Sequence, residues 1–208
     1  MESQFYSTYI ILGITVIVSL IGFNNPNFLD KFLFQPYKVR EEKQYYRFVT
    51  SVFLHGDMQH LIFNCLTFFI FGKYLEQELL IIYRDPIMVQ VVYWTLIFGS
   101  MITSSIFSYY QHRFNYSYRS LGLSGVACAV LFAMFTLKPD MELRNLFLPI
   151  PIKAWIYGIL YLAFEIYSNR NRRTNIAHDA HISGAVFGII FILITNIEQV
   201  IKAFQNLL

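Results

Sequence analysis

The sequence predicts an all-α integral membrane protein, a bundle of six transmembrane helices with a short, centrally placed fourth helix. Three observations lead there. The 208 residues are 56% hydrophobic and only 14% charged, with a mean hydropathy of +0.46, whereas a water-facing surface needs charge to stay dissolved. Apolar runs long enough to cross a hydrocarbon core, about 20 residues each, recur along the whole chain. One run, beginning at Ser124, is cut off by Lys138-Pro139 after only about 15 residues.

The elements follow in order. The first span runs from about Phe5 to Phe23 and is closed by "NNPN". No basic segment precedes it and no small-residue cleavage site follows, so it reads as a permanent span and not as a signal peptide. The connection from Asn24 to Thr50 mixes an interfacial stretch, "FLDKFLFQPY", with a charged one, "KVREEKQYYR". The second span covers about Met58 to Glu78. Pro86 suits the first turn of a third, which reaches about Tyr109. The polar loop "QHRFNYSYRS" leads to the fourth span at Ser124. The fifth is expected from Leu146 to Tyr167, and the sixth from His181 to Phe204. In lipid every backbone group must be satisfied internally, so six helices form one bundle, and residues 1–208 read as a single membrane domain.

Several function classes drop out early. A net charge of +3, with no basic cluster interleaved with aromatics, gives no nucleic-acid surface. Cys65 and Cys128 both lie in apolar runs and imply no disulfide. There is no H-E-x-x-H zinc motif and no pair of intramembrane aspartates. A metal site built on His178 and His181 with His55 or His60 is disfavoured, because no cysteine or carboxylate completes a set in the sequence.

Lipid makes polar side chains expensive, so those inside spans are candidates for function. His60 and Asn64 lie four apart on one helix face. Ser124 heads the fourth span between Gly122 and Gly125, and His181 heads the sixth. Singly, each has a plain reading: a serine bonded to its own helix, an interfacial histidine, a polar clamp between helices. Together they are a nucleophile, a base and a donor pair, the parts of acyl transfer. Gly184 and Gly188 form a small-residue face on the sixth span. If the fourth and sixth helices cross at Gly125 and Gly184, Ser124 and His181 come within hydrogen-bond reach.

Three motifs, "GLSG", "FLHGDMQHLIFN" and "AHISGAVFG", occur in this order on the expected spans. Together they resemble those of the rhomboid intramembrane serine proteases, and the resemblance covers essentially the whole chain. It implies a rhomboid protease membrane domain acting as a serine endopeptidase, with Ser124 as nucleophile and His181 as general base. It implies an oxyanion site from the Ser124 N–H with His60 and Asn64, and structural support from Gly122, Gly125, Gly184, Gly188, Arg47 and His55. It implies a dyad with no third carboxylate; Asp179, two residues before His181, is poorly placed to align that imidazole. No metal, nucleotide or organic cofactor is implied. The implied partners are transmembrane protein substrates, cut after a small residue near their outer ends, and the lipid bilayer. A rhomboid-like protein that binds transmembrane segments without cutting them is the alternative, and an unrelated transporter is a further rival.

Two features depart from the family pattern. Cys128 stands where an aromatic often stacks on the base, and Tyr46 where a tryptophan often precedes the loop arginine. The expected location is a bacterial inner membrane with the active site opening outward. The charges oppose that topology: Lys73, Arg84, Lys138, Arg144, Lys153 and Lys202 fall inside, and the remaining 10 of the 16 Lys and Arg fall outside.

Overall fold

The computed structural model describes residues 6–145, 148–171, 176–205 and 207. Ten α-helices are present among the described residues: α1 (Ser7–Asn24), α2 (Pro26–Phe32), α3 (Pro36–Glu41), α4 (Arg47–Thr50), α5 (Met58–Tyr83), α6 (Pro86–His112), α7 (Ser124–Leu137), α8 (Ala154–Asn171), α9 (His178–Thr195) and α10 (Ile197–Gln205). Their starts carry local signals. Asp57 caps α5 by accepting from the His60 N–H at 2.7 Å. Asp85 caps α6 and Asn25 caps α2, each followed by a proline at the first helical position, where its missing N–H costs no intrahelical bond.

Helix α7 is the hub. Every residue from Gly125 to Leu137 is buried, against α5, α6, α8 and α9. The surrounding helices turn apolar faces outward instead. Ile10, Ile14, Ile17 and Ile21 form an exposed stripe on α1, and Ile159, Leu160 and Phe164 do so on α8. A core-like residue exposed at helical spacing is what lipid contact demands. Helices α1, α6 and α9 are long and apolar enough to cross a membrane, and α7 is apolar but short. The chain is an integral membrane protein of mainly helical fold.

Two expected boundaries shift. The fifth span was expected from Leu146, a residue outside the described ones, but Leu148–Lys153 is a strand (β2) paired antiparallel with Glu142–Asn145 (β1). Pro149 and Pro151 are the reason, since proline lacks the N–H for a helix and drives the residue before it into extended geometry. Helix α8 starts only at Ala154, whose N–H bonds to the Met141 carbonyl at 2.8 Å. The expected sixth span breaks at Asn196, leaving α9 and a separate, amphipathic α10. The Asn196 side chain accepts from Tyr83 Oη at 3.2 Å and from Thr195 Oγ1 at 2.8 Å.

The connection between α1 and α5 is folded as α2, α3, α4 and a 3-10 turn at Ser51–Phe53. Arg47 is 1% exposed and donates to the carbonyls of Asp30 and Leu33 and to Gln44 Oε1. Buried guanidinium needs such partners, so Arg47 staples the loop. Phe34 and Ser120 exchange both backbone hydrogen bonds, tying this loop to the turn ahead of Ser124.

Candidate active site

The site begins with a helix crossing that only glycine permits. A Cβ on Gly184 would lie 2.0 Å from the Gly125 carbonyl oxygen, and one on Gly188 would lie 2.1 Å from that of Ala129. Helices α7 and α9 therefore meet backbone to backbone, at the two positions the sequence proposes. Ser124 and His181, one residue before and three before those glycines, are brought together: His181 Nε2 is 2.8 Å from Ser124 Oγ.

Ser124 is the first residue of α7, so helix geometry leaves its N–H without an intrahelical acceptor. The turn before it is set by Gly122, whose φ of +126° disfavours any side chain. A Cβ there would also stand 3.0 Å from His60 Nε2 and 3.5 Å from Asn64 Nδ2. Gly122 thus leaves open the space that both donors face, two residues before Ser124. This is the arrangement an oxyanion site requires.

His55 fastens the donors. Its Nε2 accepts from the Leu123 N–H at 3.3 Å and from Asn64 Nδ2 at 2.9 Å. Its Nδ1 must then carry the proton and donate to Ser19 Oγ at 2.9 Å, which in turn donates to the Phe53 carbonyl. Burial first, and then the neighbouring His60, hold His55 down to about 3 from its ordinary 6.5. It stays neutral, in the one tautomer this chain of bonds permits.

On the other side of His181 stands a residue outside the three motifs. Glu165 of α8 is 3% exposed, with Oε1 at 3.1 Å from His181 Nδ1 and Oε2 at 2.6 Å from His178 Nδ1. The sequence suggested that no carboxylate joins His178 and His181; the fold supplies Glu165, and ligand-type atoms of the three lie within 4.8 Å of one another. Their mutual hydrogen bonds account for that approach. The signal was present as an ionisable side chain within an apolar run. Tyr161, one turn earlier on α8, places its hydroxyl 3.4 Å from His181 Nδ1 and 3.2 Å from Cys128 Sγ. Asp179 is occupied elsewhere, accepting from Ser108 Oγ at 2.5 Å and from Tyr118 Oη at 3.5 Å.

Comparison with known proteins agrees with this geometry at the level of family. A model of the rhomboid domain matches residues 42–197. The chain is also similar to Rhomboid-like protein 15 of Arabidopsis thaliana, 23% identical over 191 residues, which is 88% of this chain and 44% of that protein. It therefore spans less than half the length of that curated relative. With the domain match covering most of the chain and the three motifs converging on one site, the protein belongs to the rhomboid family.

Proposed function

We propose that the protein is an intramembrane serine endopeptidase hydrolysing a peptide bond in or near the transmembrane segments of membrane proteins. The observation that carries this reading is the 2.8 Å approach of Ser124 Oγ to His181 Nε2 across a glycine crossing, beside the space faced by His60 and Asn64. His181 takes the Ser124 proton as Oγ bonds to the scissile carbonyl carbon. The oxygen that gains charge is met by the Ser124 N–H, His60 and Asn64. The imidazolium returns the proton to the departing amine as the C–N bond breaks. A water deprotonated by His181 then attacks the ester, and Ser124 recovers its proton.

Six spans, α1, α5, α6, α7, α8 and α9, make up the proposed membrane bundle, with Ser124 sunk below the surface by the shortness of α7. The polar turns around it line an indentation that admits water, the second substrate. Substrates are other membrane proteins, presented from the bilayer.

Labelling of the detergent-solubilised protein with a fluorophosphonate probe tests the assignment. The parent should label, and Ser124→Ala and His181→Ala should not, because members of one catalytic unit fail together. Asn64→Ala should slow proteolysis of a transmembrane reporter by about 10- to 1000-fold, the range for losing one oxyanion donor. A folded parent that neither labels nor cleaves would instead be a family member that binds transmembrane segments. Cys128, in the place of an aromatic, would be the first residue to restore.

A further inference from the structure

We propose that Glu165, clamped by His178, is a positioning residue for His181: it selects the imidazole tautomer that can accept the Ser124 proton and stabilises the imidazolium that results. The proposal rests on the protease reading above and deepens it.

The argument starts from the proton count. To act as a base toward Ser124, His181 must present a lone pair at Nε2, so its proton must sit on Nδ1. The Nδ1 atom faces Glu165 Oε1 at 3.1 Å and the Tyr161 hydroxyl at 3.4 Å. An ionised carboxylate only accepts, so beside it Nδ1 must donate. A hydroxyl alone would not enforce this, since it can donate or accept.

The carboxylate is itself held. Its second oxygen accepts from His178 Nδ1 at 2.6 Å. The Glu165 and His178 side chains are each 4% exposed, and that of His181 13%. A buried anion persists only where donors surround it, and here each of its oxygens faces an imidazole nitrogen. In that low-dielectric setting a fixed negative charge beside Nδ1 favours the imidazolium formed when Ser124 gives up its proton. The groups that face His181 are Glu165 and Tyr161 from α8, Ser124 from α7, His60 from α5, and His178 from its own helix. Glu165 is the only acid among them.

This arrangement also accounts for Cys128. With a small sulfur on α7, the space beside the imidazole is taken from α8 by Tyr161, whose ring packs 5.8 Å from that of Phe132. Tyr161 and Glu165 lie four apart, on one face of α8. The imidazole is thus oriented by α8, where an aromatic on α7 would otherwise do it. Helix α8 buries only Ala154, Gly158 and Glu165 among its described residues, so its docking and the alignment of the base are one event.

Two measurements test the proposal. The first is the nitrogen-15 imidazole spectrum of the folded parent in detergent, with the His181 signal assigned by its loss in His181→Gln. We expect the Nδ1-protonated form, with a strongly downfield Nδ1–H proton that moves upfield in Glu165→Gln. An Nε2-protonated His181 in the parent would overturn the proposal. This readout does not require an active protein.

The second measurement is the concentration dependence of fluorophosphonate labelling. Glu165→Gln should lower the maximal rate about 100-fold or more, as loss of an orienting carboxylate does elsewhere. The half-saturating probe concentration should stay within about twofold, with the thermal midpoint unchanged. A maximal rate within about threefold of the parent, or a loss matched by an equal loss of thermal stability, would reduce Glu165 to packing. If Ser124→Ala labels as the parent does, the protease reading fails by itself, and the spectrum still decides what Glu165 does.

Discussion

At the scale of single residues, His55 is kept neutral by burial first and then by partners that leave no room for a second proton. His55 is held between one acceptor and two donors, and protonation at Nε2 would point N–H groups at each other. Its folded value of about 3 lies below the ordinary 6.5. Its contribution to stability is therefore fully present above about pH 6.5 and is lost as pH falls toward the folded value. By pH 5 the loss relative to neutral pH should be about 2 kcal/mol. Thermal unfolding of the solubilised protein between pH 7.5 and 5 should show a falling midpoint, with a smaller fall in His55→Asn. Equal falls in both proteins would assign the acid sensitivity to another group.

At the scale of elements, the decisive object is the crossing of α7 and α9. Any side chain at Gly184 meets backbone, not a movable side chain, at 2.0 Å. The helices must separate to admit one, and with them Ser124 and His181. Gly184→Val should destabilise the protein by at least about 1–3 kcal/mol, the usual range for overpacking. It should also abolish probe labelling while leaving both reactive side chains in the chain. Unfolding midpoints and labelling on the same samples check both halves, and full labelling would show that the crossing tolerates more than this geometry allows. A second polar cluster joins α1, α5 and α6: Thr8 Oγ1 donates to the fully buried Glu76 at 2.9 Å and lies 2.8 Å from the Tyr93 hydroxyl. Ser7 also bonds to Gln90. Buried carboxyl groups in the spans are thus not limited to Glu165, and here one serves helix contact.

At the scale of the whole molecule, the proposed orientation places the loop between α1 and α5 and the mouth of the site on the outer side. Phe34 and Ser120 bind the two together, so they share one side whichever it is. Four of the ten cations that oppose this topology by number are committed to the folded structure on that side. Lys38 and Arg119 pair with Asp30 at 3.1 and 2.8 Å, Arg40 pairs with Glu41 at 2.8 Å, and Arg47 is interior. Cations committed this way are a structured surface rather than a free flanking run of the kind that sets orientation. In intact cells Lys43→Cys should react with an impermeant maleimide, whereas Lys202→Cys should react only after permeabilisation. The reverse pattern would invert the proposed topology.

The membrane class, the short central helix and the four polar positions Ser124, His181, His60 and Asn64 were legible in the sequence. Each is a local signal: low charge, the length of an apolar run, a polar residue in a costly place. So was the α7–α9 crossing, because glycines spaced along one helix face announce close approach. The start of α8 was misplaced because average hydropathy does not register that Pro149 and Pro151 lack donors. The break at Asn196 was missed because one side chain can end a helix through bonds to partners far away in sequence. Only the tertiary structure decided which partners Glu165 meets. A carboxylate in an apolar run declares that it needs partners, and which ones it finds depends on how α8 docks against α9.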